Sequence, residues 1–174
     1  GSEYFTIYLR DIKTNKIISK EITETSGGIT FSLDDKYIFY SKLDENHRAR
    51  KIYRHKIGDF DAEDELIFEE KSEAFTVGIG ISSDEKYYFI STSDHNTSEQ
   101  YYFSVNEEKP KPKLIQKREK GIIYSVNSWN DSFYMFKLWS SLRFLLLDLL
   151  RSIKISKEWI RAKKVTWWLR HHLT

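Results

Sequence analysis

The sequence contains no cysteine among its 174 residues. Disulfide bonds, CxxC zinc sites and thiol nucleophiles are therefore all excluded. The absence of cysteine fits a reducing compartment, and we expect a cytoplasmic protein. The first residues, GSEYFTIYLRD, show no basic stretch followed by an apolar one, so they do not resemble a secretory leader.

Aromatic residues, by contrast, are abundant. They make up 16% of the chain, and apolar residues make up 40%. This apolar fraction is enough for a buried core in a chain whose length suits one domain or slightly more. Dense aromatic residues favour β-strands over helices, so the composition predicts a mainly β protein.

Charge and tryptophan divide the chain near Phe136. Residues 1–135 carry 19 Lys+Arg against 24 Asp+Glu, a net charge of −5. Residues 136–174 carry 9 Lys+Arg against 2 Asp+Glu, a net charge of +7. The second part also holds four of the five tryptophans: Trp139, Trp159, Trp167 and Trp168. We therefore predict a folded unit over residues 1–135 and a basic, Trp-rich tail over residues 136–174.

A repeat runs through the first part. FSLDDKYIFYSKLD, at 31–44, aligns with ISSDEKYYFISTSD, at 81–94, and seven of the fourteen positions are identical. Each copy predicts a short strand, an Asp-rich hairpin turn and a longer strand. Two further strands follow each copy, at 50–57 and 64–70, and at 99–105 and 113–119. A partial unit precedes the first copy, at 4–22, and a third unit begins at 122–136.

Four-stranded antiparallel units that recur after about 45–50 residues indicate the blades of a β-propeller. In KYIFYS, Tyr37 and Phe39 should face one side of the sheet, and Ile38 and Tyr40 the other. Both faces are apolar, as expected for a sheet between two neighbouring sheets. We predict an all-β fold, a partial β-propeller of about three four-stranded antiparallel blades, followed by a helical basic tail. The alternative is a β-sandwich of hairpins.

These residues also resemble a known family. The stretch TSGGITFSLDDKYIFYSKLDENHRARKIYRHKIG, at 25–58, is similar to the N-terminal propeller of the oligopeptidase B (protease II) branch of the prolyl oligopeptidase family of serine peptidases. DELIFEEKSEAFTVGIGISSDEKYYFISTSDHNTSE, at 64–99, and REKGIIYSVNSWNDSFY, at 118–134, continue the resemblance in the same order. The resemblance covers about residues 3–135 and stops near Phe136.

The resemblance implies a seven-bladed propeller that caps an α/β-hydrolase domain with a Ser-Asp-His triad and an acidic pocket for Lys or Arg side chains. The propeller of the family narrows access, so that short peptides enter and folded proteins do not. This chain resembles about three blades and contains no G-x-S-x-G elbow. No triad residue is therefore carried over.

The expected function is that of a fragment of a trypsin-like serine oligopeptidase, part of the substrate-gating propeller and inactive alone. Short basic peptides would be partners only in the full-length enzyme. The alternative is a non-catalytic interaction module that binds a partner protein or a membrane surface through propeller edges or the basic tail. We expect no catalytic, cofactor-binding or metal-binding residue in this chain.

Several polar residues are candidates for chemistry, and each has a simpler interpretation. Asp94, His95 and Ser98 lie in one polar turn, whereas a triad needs three groups that converge on a pocketed nucleophile. We predict a hairpin loop that is hydrogen-bonded to itself. His47 and His55 lack a third ligand pattern nearby, and zinc needs three or four ligands. His171 and His172 could bind metal adventitiously.

The stretch RARKIYRHK concentrates basic residues around Tyr53, namely Arg48, Arg50, Lys51, Arg54 and Lys56. Basic and aromatic residues together can bind nucleic acid. The neighbouring DFDAEDELIFEE is acidic and can pair with them across strands. We therefore predict a solvated surface and no nucleic-acid partner.

The remaining candidates are glycines and the tail. A phosphate cradle requires glycines just before a helix, and neither Gly27–Gly28 nor Gly78-x-Gly80 precedes one. These glycines are instead predicted to let inner strands approach closely. Leu138–Ile153 has apolar residues at helical intervals but is too short and too charged to span a membrane. We expect it to pack on a blade or stay loosely ordered, rather than lie on a membrane surface. Self-association through open blade faces is a further expectation.

Overall fold

The computed structural model describes residues 3–61 and 63–139. In these ranges the chain forms eleven strands and no helix, which confirms the all-β prediction. The strands are β1 Phe5–Ile7, β2 Ile22–Phe31, β3 Tyr37–Leu43, β4 Ala49–Lys56, β5 Glu65–Glu69, β6 Thr76–Ile81, β7 Tyr87–Ser93, β8 Ser98–Ser104, β9 Lys113–Gln116, β10 Ile122–Trp129 and β11 Ser132–Trp139. The predicted helical tail lies outside the described residues, except that its first four residues belong to β11.

The strands form three successive sheets, and within each sheet every strand pairs antiparallel with the strand next to it in the chain. The strand orders are β1-β2-β3-β4-β5, β6-β7-β8-β9 and β10-β11. The predicted partial β-propeller is therefore confirmed, but its three sheets have five, four and two described strands and not four each. The first sheet gains its fifth strand because the partial unit at 4–22 forms a hairpin that joins the first blade.

β2 is ten residues long because it pairs on both sides. Ile22 and Thr25 pair with β1, and Thr25 and Ile29–Phe31 pair with β3. The register shifts between Thr25 and Ile29, where Gly27 has a φ of +86°. A Cβ at Gly27 would lie 3.0 Å from Cγ of Phe5, so this glycine meets both a left-handed backbone and a close neighbour.

The other glycines do not behave as predicted. At Gly28, Gly78 and Gly80 an added Cβ would meet no atom within 4 Å. The prediction that these residues let inner strands approach closely is therefore wrong. Close approach is found at Gly27, where the hairpin of the partial unit packs against β2.

The two repeated turns fold alike. In the first turn, Oγ of Ser32 accepts the amide of Tyr37 at 2.8 Å and donates to Oδ1 of Asp34 at 2.7 Å. Asp35 has a φ of 56°, a left-handed conformation that aspartate tolerates. The same contacts recur fifty residues later at Ser82, Asp84, Glu85 and Tyr87. The residues that the sequence repeats therefore make the same hydrogen bonds in both turns, and these hydrogen bonds set the register of each hairpin.

The core consists of layers between successive sheets. Phe39 of β3 packs between the first and second sheets, in a cluster with Tyr88 and Ile90 of β7. Ile38 of β3 lies on the opposite face, in a second cluster with Ile7, Leu9, Ile22 and Tyr40. Phe89 of β7 faces the third sheet, with Tyr124 and Val126. The prediction of two apolar faces per blade is confirmed.

Candidate functional site

The turn of the first blade is held by a tyrosine of the second. The hydroxyl of Tyr88 accepts the amide of Leu33 at 3.2 Å and donates to the carbonyl of Phe31 at 3.4 Å. Tyr88 is 1% exposed, and burial raises the pKa of its hydroxyl. The phenol can therefore donate and accept at the same time, and its two hydrogen bonds connect the second blade to the turn of the first.

The turn of the second blade is held by the third sheet in a related way. Oδ1 of Asn127 accepts the amide of Ser83 at 2.9 Å, and Oγ of Ser128 donates to Oδ2 of Asp84 at 2.8 Å. Lys86 adds an exposed ion pair with Asp131. Each Asp-rich turn therefore closes its own hairpin and also contacts the next blade.

A cleft of about 580 Å³ lies over the junction of the first two sheets. Its floor is filled by three buried rings, those of Phe39, Tyr88 and Phe103, with centroids 4.8–5.8 Å apart. At its rim the guanidinium of Arg54 lies 4.4 Å from the centroid of the Tyr37 ring. The rim carries both signs of charge, so the cleft does not select a ligand of one charge.

At a second contact of the same junction, Arg118 bridges two buried carboxylates, and we name Arg118, Glu70 and Glu99 the clasp. Nη2 of Arg118 lies 2.6 Å from Glu70 and 2.8 Å from Glu99, whose side chains are 4% and 5% exposed. The guanidinium also lies 4.1 Å from the centroid of the Phe75 ring. Glu70 follows β5 and Glu99 lies in β8, so the clasp ties the first blade to the second.

At Glu70, hydrogen bonds outweigh the effect of burial on the pKa. Burial alone would raise the pKa of Glu70, but the Thr92 hydroxyl, the Ser72 amide and Arg118 hold it below its usual value. Burial, together with the hydrogen bond to Glu99, raises the pKa of Tyr101 to about 12. All four carboxylate oxygens have donors. The clasp is therefore saturated and offers no position for a ligand.

A buried Ser–His–Asp grouping lies between the hairpin of the partial unit and the first blade. The His55 cluster comprises Ser19, Lys20, Tyr40, His55 and Asp64. Nε2 of His55 contacts Oγ of Ser19, and Nδ1 lies 2.8 Å from Oδ1 of Asp64. Tyr40 donates to Oδ2 of Asp64 at 2.6 Å, and Nζ of Lys20 lies 2.9 Å from Oδ1. The connectivity is that of a hydrolytic triad.

The surroundings of this grouping exclude nucleophilic attack by Ser19 as it stands. Ser19 and His55 are each 1% exposed, and the Ser19 hydroxyl donates to the carbonyl of Asp59 at 3.0 Å. Burial alone would raise the pKa of Asp64, but Tyr40, His55 and Lys20 lower it. The grouping joins four segments of chain and has no room for a substrate carbonyl, so it is a packing element.

The sequence did not indicate either polar cluster. Ser19 lies 36 residues before His55, and Glu70 lies 48 residues before Arg118. No local motif links partners so distant.

Asp94, His95 and Ser98 do not converge. Oδ1 of Asp94 accepts the amides of Asn96 and Thr97, at 2.8 and 2.6 Å, which is the predicted loop hydrogen-bonded to itself. Ser98 is buried and points to the next sheet, where its Oγ donates to the carbonyl of Tyr124 at 2.7 Å. These residues therefore form a turn and a strand-to-strand contact.

His47 and His55 lie in different environments. His47 has a φ of 56° in the β3–β4 turn, and its ring lies 4.5 Å from that of Tyr4. His55 is in β4, inside its cluster. Among residues 3–61 and 63–139, no group of three or more potential ligands could hold a metal ion. His171 and His172 lie outside the described residues.

The basic stretch is largely paired with acidic neighbours. Lys51 faces Glu69 and Arg54 faces Glu65 across β4 and β5, and each couple forms an ion pair. Arg50 instead binds Asp44, with Nε 2.6 Å from Oδ2. Arg48 donates to the carbonyl of Ala74 at 3.2 Å. Tyr53 is half-buried beside Tyr40. The cross-strand pairing predicted from the acidic neighbour is therefore present.

Stacked antiparallel sheets, the first two of which contain the same Asp-rich turn, define this protein as part of a β-propeller. Comparison with protein families agrees: the model of the prolyl oligopeptidase N-terminal β-propeller domain matches residues 1–149. The chain belongs to the prolyl oligopeptidase family, as a part of that N-terminal domain. The match passes the predicted boundary at residue 135, which stays a prediction.

Curated relatives are longer proteins of the same kind. Protease 2 of Moraxella lacunata is 32% identical over 149 residues, which cover 84% of this chain and 22% of the relative. Dipeptidyl aminopeptidase BI of Pseudoxanthomonas mexicana is 28% identical over 100 residues, 57% of this chain and 14% of the relative. The chain thus spans less than a quarter of the length of these relatives.

Solved structures share the fold. Oligopeptidase B from Leishmania major superposes with a TM-score of 0.72 at 24% identity, over 78% of this chain and 19% of that one. Oligopeptidase B from Trypanosoma brucei gives a TM-score of 0.64 at 26% identity, over 68% of this chain and 17% of that one. Within residues 3–61 and 63–139, no helix is long and apolar enough to cross a membrane.

Proposed function

We propose that this chain is part of the substrate-gating propeller of a serine oligopeptidase that cleaves short peptides after Lys or Arg. The observation that carries the proposal is the family match over residues 1–149, together with the blade-on-blade stacking. The Lys/Arg preference is what the resemblance of the sequence to the oligopeptidase B branch implies, and the likeness to Protease 2 and to oligopeptidase B from Trypanosoma brucei supports that branch. A cytoplasmic location is part of the same proposal.

The chain is proposed to act by steric exclusion, without bond chemistry of its own. A gate must be rigid, because a blade that yields would admit larger substrates. The turn contacts of Tyr88 and the saturated clasp both stiffen the junction of the first two blades. In the described part of the chain Ser19, the only possible nucleophile of the Ser–His–Asp grouping, is 1% exposed, which supports a non-catalytic role.

A chimera tests the gating role. Residues 1–149 of this chain would replace the matched segment of Protease 2, and hydrolysis of short Arg and Lys peptides would be compared with hydrolysis of an unfolded protein and a folded protein. We expect short peptides to be cleaved and the folded protein to survive. A folded chimera that cleaves the folded protein and the short peptides at similar rates would contradict gating.

The 174-residue chain alone tests the absence of activity. We expect no hydrolysis of Arg or Lys esters and amides above the buffer rate. A rate above buffer that a serine-directed inhibitor abolishes would contradict the non-catalytic role. The variant Ser19→Ala would then show whether the buried grouping is responsible.

A second candidate function is a non-catalytic interaction module. It is favoured by one observation, the large apolar side chains that β10 and β11 expose on their outer face, namely Trp129, Phe136 and Leu138. Contact with a membrane surface is the weaker form of this proposal. Flotation with anionic vesicles separates the two forms, since only membrane binding carries the chain to the lipid fraction.

A further inference from the structure

The two Asp-rich turns are attached to the next sheet by unequal numbers of side chains. The second turn, at 82–86, contacts three residues of the β10–β11 hairpin, in the pairs Ser83–Asn127, Asp84–Ser128 and Lys86–Asp131. Among the residues that the structure describes, the first turn, at 32–36, is hydrogen-bonded to the second sheet by one side chain, that of Tyr88. A single hydroxyl group therefore attaches the first turn to the second blade.

The other contacts of this junction leave the turn itself unattached. Thr30 of β2 donates to the carbonyl of Ile79 at 3.1 Å, and the clasp lies at the opposite end of the strands, where β5 ends. These contacts hold the strands of the two blades together without reaching residues 32–36. Loss of the Tyr88 hydroxyl would therefore release the turn while the rest of the junction stays in place.

The space beside this attachment is not filled by side chains. The cleft of about 580 Å³ is lined on one side by Ser32 and Leu33 of the first turn, and on the other by Asn106 and Glu108 of the β8–β9 loop. Packed side chains resist displacement because moving them opens voids. An outward movement of the first turn would only widen a cleft that already exists, so packing opposes this movement weakly.

The repeat separates the two parts of the Tyr88 side chain. Tyr88 aligns with Ile38 of the first copy, which is also buried but has no hydroxyl. The ring of Tyr88 lies 4.8 Å from that of Phe39 and 5.2 Å from that of Phe103, between centroids. A phenylalanine would keep these ring contacts. The hydroxyl serves only the turn, through the amide of Leu33 and the carbonyl of Phe31.

We propose that Tyr88 sets the size limit of the gate by holding the first turn closed against the second blade. The inference rests on the proposed gating function and names one residue for it. With the hydroxyl bonded, the walls of the cleft stay in place and the propeller admits short peptides. With the bond broken, the turn moves outward and a longer, unfolded polypeptide can enter. Tyr88 is a positioning residue, since it acts through the backbone of the turn.

Hydrogen exchange on the full chain tests the attachment of the turn. Tyr88→Phe removes the acceptor of the Leu33 amide and keeps the ring. By nuclear magnetic resonance, with intrinsic rates corrected, we expect the Leu33 amide to exchange about fivefold to tenfold faster, the effect of one hydrogen bond. The amide of Ser83, in the second turn, should be unaffected. Tyr102→Phe is the control, because its ring packs in the second blade away from this turn, and it should change neither amide. Unchanged exchange at Leu33 in Tyr88→Phe would overturn the inference.

The Protease 2 chimera tests the size limit itself. We expect Tyr88→Phe to leave kcat/KM for short Arg peptides within about twofold of the unsubstituted chimera, because no group at the reacting atoms changes. Cleavage of the unfolded protein should rise about fivefold to tenfold, in step with the opening of the turn. Tyr102→Phe should change neither rate. An equal change for both substrates would indicate a general loss of structure and would overturn the role of Tyr88.

The same experiment separates this inference from the proposed function. An unsubstituted chimera that cleaves folded and unfolded proteins as fast as short peptides would refute the gate. A selective chimera whose selectivity Tyr88→Phe leaves unchanged would refute only the role of Tyr88.

Discussion

Among single residues, Arg118 is expected to have a large effect on stability, because it is the cation between two buried carboxylates. Substitution by Met keeps most of the side-chain length but leaves Glu70 and Glu99 buried without their cation. Breaking a buried pair by removing one partner costs about 3–5 kcal/mol. Because the Arg118 side chain is 25% exposed, we expect about 3 kcal/mol for Arg118→Met, measured by urea unfolding.

The control for this substitution is Lys71→Met. Lys71 also contacts a carboxylate, that of Glu69, but its side chain is 83% exposed. Exposed pairs contribute about 0–1 kcal/mol, so the control should unfold close to the wild type. Equal effects of the two substitutions would show that the clasp contributes no more than a surface ion pair.

Glu70 gives a second prediction, for the effect of acid. Its pKa is held below the usual 4.5, so its contribution to stability is present above that value and is lost as the pH falls through the folded-state pKa. We expect the urea midpoint to fall on acidification below about pH 4.5, and to fall less steeply in Glu70→Gln. An identical acid dependence in both proteins would contradict the assignment to Glu70.

For single residues, the sequence predicted which side chains are buried better than it predicted which polar side chains contact one another. Alternation in KYIFYS placed Ile38 and Phe39 on opposite apolar faces, and the structure agrees. The same alternation cannot tell which polar residue meets which across blades. Glu70 and Arg118 are joined only because two linkers meet at one junction, and that depends on blade packing and not on local pattern.

At the scale of elements, the Asp-rich turns carry the repeat. Ser82→Ala removes an acceptor that serves the amides of Lys86 and Tyr87, at 3.1 and 3.0 Å. Leaving a donor unsatisfied costs about 1–3 kcal/mol when it is buried and less when it is wet. We expect about 1–2 kcal/mol by urea unfolding, since this turn is only partly buried.

The equivalent substitution Ser32→Ala tests whether the two turns are energetically equal. Its Oγ accepts the amide of Tyr37 and donates to Asp34, as Ser82 does with Tyr87 and Asp84, and its cost should agree with that of Ser82→Ala within about 0.5 kcal/mol. Ser125→Ala, on an exposed strand position, is the control and should change stability by less than about 0.5 kcal/mol. A neutral Ser82→Ala would mean that water replaces the serine.

Strands and turns were predicted well because their signals are local. Asp-rich triplets and alternating aromatic residues placed all the major hairpins within a few residues. β9 is an instructive exception: it ends at Gln116, not near Glu119, because the amide and side chain of Arg118 turn to Glu99. A tertiary contact ended that strand, and no local rule contains it.

At the scale of the whole molecule, each blade covers one face of the next. The inner layers show the rule, since Phe39 is covered by the second sheet and Phe89 by the third. Within residues 3–61 and 63–139, β11 pairs with β10 alone. The outer face of this hairpin also carries large apolar side chains, but no described sheet packs against it and they are exposed.

This open face gives the last prediction, that the 174-residue chain self-associates. Phe136 and Leu138 are 69% and 61% exposed on successive outward positions of β11, on the same face as Trp129 of β10. Exposed apolar patches and free strand edges promote association. We expect sedimentation velocity to show species larger than a monomer at micromolar to millimolar concentrations.

The double variant Phe136→Ser, Leu138→Ser should shift this equilibrium towards the monomer, because it removes most of the apolar area of β11 and leaves the inward residues in place. Ile12→Ser is the matched control. Ile12 is 96% exposed but lies in the turn of the hairpin at 4–22, away from β11. If association depends on the outer face of the last blade, only the double variant changes it. A monomeric wild-type chain at every concentration, or equal effects of the two variants, would show that this face is not where copies meet.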